Sequence, residues 1–148
     1  MFSRTCQYAL QAVLYIALHT RNNGGRMIGL KEISASQDIP LHFLSKILQI
    51  LVKNKILTST KGPSGGFALN ISSDNLTLLE IVQVIDGLDI FDRCGIGMKI
   101  CSDKAPCPIH QDYKIVKNKI RSLLEKKTLS ELCEDVQRGK SIVTYVKD

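Results

Sequence analysis

The sequence predicts a mainly α-helical fold with one small β-hairpin and a long C-terminal helix, and three observations carry that reading. Apolar residues recur at helical spacing through most of the chain. A single cluster of strong breakers, Gly62-Pro63-Ser64-Gly65-Gly66, separates two short β-prone runs. Beyond Pro108 the apolar residues step by four and three, which is a heptad seam.

The 148 residues suffice for one hydrophobic core and an oligomerisation element. No run approaches the ~20 apolar residues of a membrane span. The start, Met1-Phe2-Ser3-Arg4-Thr5-Cys6-Gln7, lacks the basic, apolar and small-residue regions of a signal peptide, so the chain is expected to be cytoplasmic. In that reducing compartment five cysteines favour metal or redox use over a disulfide framework. The net charge is +6, and residues 1–75 hold eight Lys and Arg against three Asp and Glu. The basic excess therefore sits in the first half, where it favours a polyanion such as DNA.

Residues 4–19 form an apolar helix through Tyr8, Ala9, Ala12, Val13, Ile16 and Ala17, with Ser3 as its N-cap. Residues 21–26 are a loop of turn formers. A short helix over 30–36 turns Leu30 and Ile33 inward, and Pro40 opens the next helix, over 40–54. In that helix Phe43, Leu44, Ile47, Leu48, Ile50 and Leu51 make a broad apolar arc. Opposite them His42, Ser45, Lys46, Gln49 and Lys53 form a narrow basic stripe without a carboxylate. Helix, turn and a donor-rich helix make the helix-turn-helix pattern, whose second helix enters the DNA major groove. The plainer reading of the stripe is a solvated face.

The hairpin, with strands over 56–61 and through Phe67, Leu69 and Ile71, converts this pattern into a winged helix, and Lys61 is the cation of the wing. Its glycines would let backbone approach a phosphate. Thr77 and Glu80 make a capping box for a helix carrying Leu78, Ile81, Val82 and Ile85 and ending at Gly87. In the long helix Ile109, Tyr113, Val116, Ile120 and Leu123 form the seam, with lysines 114, 117, 119, 126 and 127 mostly outside; the seam fits pairing with a second copy. Thr128 and Glu131 cap a last short helix with Leu132 and Cys133.

Between these helices lies Cys94-x6-Cys101-x5-Cys107-x2-His110, on a loop too rich in Gly, Pro and polar residues for a helix interior. Thiolates hold iron–sulfur clusters, zinc or copper, and an imidazole supplies a fourth ligand. The spacing lacks the short knuckle of structural zinc, yet cluster, zinc and unliganded loop all stay open on spacing alone.

Four segments carry a resemblance: Tyr8-Ala9-Leu10; the wing from Lys61 to Phe67; Thr77-Leu78-Leu79-Glu80-Ile81 with Val84-Ile85-Asp86-Gly87; and Cys107-Pro108-Ile109-His110. Over residues 1–135 the chain resembles the IscR/NsrR family, dimeric bacterial winged-helix regulators that bind 2Fe–2S or 4Fe–4S clusters. The resemblance implies that Cys94, Cys101 and Cys107 ligate an iron–sulfur cluster and that His110 completes the site. The acidic ligand that other members take from the partner subunit corresponds here to Gln7, and the neighbouring Cys6 is a further thiol that could ligate. It also implies that His42, Ser45, Lys46 and Lys61 meet double-stranded DNA.

The expected organisation is a winged helix-turn-helix DNA-binding domain over 1–90, a cluster-binding loop over 91–108, a dimerisation helix with the following short helix over 109–135, and a loose tail over 136–148. The expected function is transcription regulation switched by iron, redox state, oxygen or nitric oxide. The alternatives are a cluster-free or zinc-containing regulator of the same fold, or an iron–sulfur redox protein. No nucleophile elbow, P-loop or dinucleotide motif supports an enzyme.

Overall fold

The computed structural model describes residues 1–22 and 24–143; of the expected loop Asn23, and of the expected tail residues 144–148, lie outside them. Six helices and a two-stranded hairpin follow in order: α1 (Arg4–Asn22), α2 (Leu30–Gln37), α3 (Leu41–Lys53), β1 (Leu57–Thr60), β2 (Gly66–Leu69), α4 (Leu78–Ile85), α5 (His110–Lys126) and α6 (Leu129–Gln137). No described helix is long and apolar enough to cross a membrane.

α1 is the axis of the fold, packing against α2, α3, α4, α6 and the hairpin. Its small residues make this possible, since Ala9, Ala12 and Ala17 are fully buried and let neighbouring helices approach closely. Ser3 caps the helix by accepting the Cys6 amide at 3.0 Å, and its own amide donates to Asp86 just past α4 at 2.9 Å. The helix start is thus tied across the chain to the end of α4.

α2 ends at Asp38 in the left-handed conformation, and α3 begins at Leu41 with Pro40 as its N-cap. Pro40 stands one position earlier than expected because the preceding turn consumes it. Leu44, Ile47, Leu48 and Leu51 are the buried face of α3; Phe43 and Ile50, expected in the same arc, lie at its edges and stay partly exposed. Phe43 instead meets Tyr8 edge-on, with ring centroids 5.9 Å apart.

β1 and β2 pair antiparallel with Leu57 opposite Leu69 and Thr60 opposite Gly66. Ile28 adds a bridge to Phe67 on the outer edge of β2, with bonds of 2.9 and 2.8 Å. That bridge explains Gly66. A Cβ there would lie 2.4 Å from the Ile28 carbonyl oxygen, and one on Gly65 would lie 2.1 Å from the Thr60 oxygen. Gly65 and Gly66 are thus required by the wing's own backbone packing, whereas Gly62, at φ +105°, faces open space.

Both capping boxes form, Thr77 with Glu80 and Thr128 with Glu131. They lie side by side, because Thr77 and Thr128 pair as an isolated β-bridge: the Leu78 amide donates to Lys127 at 3.1 Å and the Leu129 amide to Leu76 at 2.8 Å. α6 is thereby returned to the first domain, where Leu129 and Cys133 are fully buried in the main core. It also runs to Gln137, into the stretch expected as tail.

A second, smaller apolar cluster joins the winged helix to α5. Cys6, Val82, Phe91 and Leu124 are its buried members, and Ile120 and Leu88 pack on it. Phe91 is delivered by a single 3-10 turn, Asp89–Phe91.

Candidate functional site

The loop between the 3-10 turn and α5 brings its three cysteines together. The Sγ atoms of Cys94, Cys101 and Cys107 all lie within 4.8 Å of one another, with Cys94 and Cys107 3.5 Å apart. His110, the first residue of α5, points its Nδ1 at Cys101 Sγ, 3.1 Å away. The four expected ligands are therefore neighbours. With Asp92, Gly95, Tyr113 and Lys117 they line one small pocket. The loop that carries the thiols has no regular secondary structure between Cys94 and Cys107.

The electrostatics favour thiolate at the start of the loop. The Ile96 and Met98 backbone N–H groups bond the Cys94 sulfur and bring its pKa down to about 7. Burial pushes the Cys107 thiol up. Cys6 takes no part: it is fully buried in the joint cluster, and burial with the nearby Asp86 pushes its thiol up to about 12. It is a core residue, not the further ligand it could have been. Cys133 is equally buried.

Side chains around the thiols fix the loop to α5. Asp103 lies at the tip of a tight turn in which Ser102 and Ala105 exchange backbone bonds of 3.2 and 3.1 Å. Its carboxylate meets His110 Nε2 at 2.9 Å and Lys114 Nζ at 2.8 and 2.7 Å. Lys114, then His110, holds that carboxyl below the usual carboxylate range. Lys117 is a correction to the sequence reading, being only 8% exposed. Its ammonium lies 5.2 Å from the Tyr113 ring centroid and donates to the Arg93 carbonyl at 2.9 Å, which pins the start of the loop. Tyr113 in turn lies against Gly95, where a Cβ would come within 2.9 Å of the ring. Asp103, Lys114 and Lys117 had no sequence signal, because their partners are 7 to 24 residues away in a loop without periodicity.

The basic stripe lies on the other side of the molecule's sequence but forms one surface. His42, Lys46, Gln49 and Lys53 are exposed on α3, and Ser45 is half-buried, accepting from Gln49 Nε2 at 3.4 Å. Gln49, Lys53 and Lys61 line a groove of about 370 Å³ between α3 and the hairpin. Ser59 and Thr60 line it too, an unexpected contribution of β1.

A model of the Rrf2 family, described as iron-dependent transcriptional regulator, matches residues 2–135. The chain belongs to the Rrf2 family. A relative of this Rrf2-family chain, the HTH-type transcriptional regulator IscR of Sodalis glossinidius, is 31% identical over 126 residues, 85% of this chain and 74% of that protein. Among solved structures, T. potens IscR has a TM-score of 0.74 at 21% identity, covering 97% of this chain and 93% of that one. CymR of B. subtilis, titled a global cysteine regulator, has a TM-score of 0.73 at 20% identity over 90% of this chain and 96% of that one. The Rrf2 fold is thus shared with winged-helix regulators, and the chain is a transcription regulator of that family.

Proposed function

We propose that this regulator holds an iron–sulfur cluster on its cysteine loop and that the state of the loop sets its affinity for operator DNA in the cytoplasm. The observation that carries the proposal is the convergence of Cys94, Cys101, Cys107 and His110 at the start of α5. Three soft thiolates and an imidazole suit iron–sulfur ligation. When bound, such a cluster supplies iron that exchanges electrons and ligands with iron, oxygen, nitric oxide or redox signals.

The chain's own residues transmit the loop's state. Lys117 and the Asp103 contacts bind the loop to one face of α5, and the Phe91 cluster binds α5 to α4 and α1. At the N-cap of α5 and along it, Ile109, Val116 and Leu123 recur every seven residues and are 37%, 49% and 55% exposed. That apolar line supports pairing with a second copy. In the dimer the spacing of two α3 helices must match half-sites about one helical turn apart. A loop ordered by its cluster would favour one spacing, and its release another. His42, Ser45, Lys46, Gln49 and Lys53 would meet the major groove, with Lys61 on the adjoining backbone.

Anaerobic purification followed by an absorption spectrum and iron, sulfide and zinc analysis tests the proposal. Iron with equimolar sulfide and a brown band is the expected result. A second reading, one zinc ion or a thiol switch in place of the cluster, draws on the 3.5 Å approach of Cys94 to Cys107 and the small pocket. Colourless protein whose cluster cannot be rebuilt would establish that reading instead.

A further inference from the structure

His110 has two ring nitrogens, and they face different partners. Nδ1 points at Cys101 Sγ and Nε2 at the Asp103 carboxylate. An ionised carboxylate only accepts hydrogen bonds, so the nitrogen facing it must carry a proton. In a neutral imidazole the other nitrogen is then the one with a free lone pair. We propose that Asp103 is a positioning residue that holds His110 with its proton on Nε2, so that Nδ1 is the atom offered to a metal beside the three thiols.

The arrangement is built from two directions. On the loop, the turn closed by Ser102 and Ala105 presents Asp103 outward, and the Ala105 amide also donates to Ser102 Oγ at 3.2 Å. On α5, Lys114 stands four residues after His110, on the same helix face, and grips both carboxylate oxygens. Asp103 thus accepts three bonds, one from His110 and two from Lys114, although its side chain is 63% exposed. The side chain of His110 is 15% exposed, so water competes little for its ring nitrogens. Metal-bound histidines commonly need such an outer partner, whose loss costs about 10- to 100-fold in metal affinity.

This inference rests on the metal-site reading, but half of its test needs no metal. With only three histidines in the chain, 15N-edited NMR of the reduced, metal-free, histidine-labelled protein assigns the proton of each ring. His110 is expected to be protonated at Nε2 in the parent and to lose that preference in Asp103→Ala. The second half titrates cobalt(II) anaerobically into the reduced protein. Asp103→Ala should bind cobalt about 10- to 100-fold more weakly with unchanged thiolate charge-transfer intensity, while Asp103→Asn, whose amide oxygen still accepts from Nε2–H, should recover most of the loss. A proton on Nδ1 in the parent, or parental cobalt affinity in Asp103→Ala, overturns the proposal. A protein that gives these results with cobalt yet assembles no iron–sulfur cluster supports the positioning role while removing the cluster reading.

Discussion

A single lysine decides little by its charge and much by what it touches, as the lysines of this chain illustrate. Lys46 and Lys61 are exposed and basic beside no acid, so each is available to a phosphate. Replacing either by alanine should weaken operator binding and lower the slope of log affinity against log salt by about 1, as read by fluorescence anisotropy across salt concentrations. Unchanged affinity and slope would remove that lysine from the interface. Lys117, of the same type, is buried and structural. Helical periodicity places it outside, since a seam drawn from apolar residues alone counts no lysine as a packing residue; what holds it inside is its ammonium, over the Tyr113 ring and bonded to the Arg93 carbonyl. The cysteines divide in the same way. In the native, reduced, metal-free protein, iodoacetamide at pH 8 should modify Cys94, Cys101 and Cys107 quickly, and Cys6 and Cys133 only after denaturation. Mass spectrometry of the labelled peptides reads this directly, and fast labelling of Cys6 would contradict its burial.

At the scale of elements, local chemistry was legible and long-range docking was not. Both capping boxes formed where Thr77 and Thr128 stand three residues before a glutamate, because that signal is complete within four residues. The breaker-rich loop left the three thiols free to converge, but their spacing alone kept an unliganded loop equally open. The Ile28 bridge was not, since one residue between turns has no period to read. That bridge makes the wing intolerant of a side chain: Gly66→Ala should cost about 1–3 kcal/mol in chemical denaturation and weaken DNA binding by disturbing Lys61. Equal stability of this variant would mean that the bridge is dispensable. For α5 the expected heptad splits. Tyr113 and Ile120 pack on their own chain, leaving Ile109, Val116 and Leu123 outward. Val116→Glu places a charge in the middle of that line and should give a monomer in sedimentation velocity with its helix content intact. A variant that remains dimeric would exclude α5 as the pairing surface.

In the whole molecule, the winged helix and α5 are joined through one small apolar cluster. The joint cluster mixes residues of α1, α4 and α5, so movement of α5 cannot leave the winged helix undisturbed. The cysteine loop interrupts the apolar pattern of the sequence beyond residue 90. The return of α6 to α1 was illegible, since nothing in Leu129 or Cys133 names the helix on which they rest. That return also has a consequence for biosynthesis. Leu129 and Cys133 of α6 fill the core around α1, so that core stays open until α6 has been made. The winged helix is therefore not fully packed in a product that lacks α6. A nascent or prematurely terminated product ending after residue 128 should melt without a cooperative transition and leave the operator free, so that unfinished copies do not compete with finished ones for the same DNA.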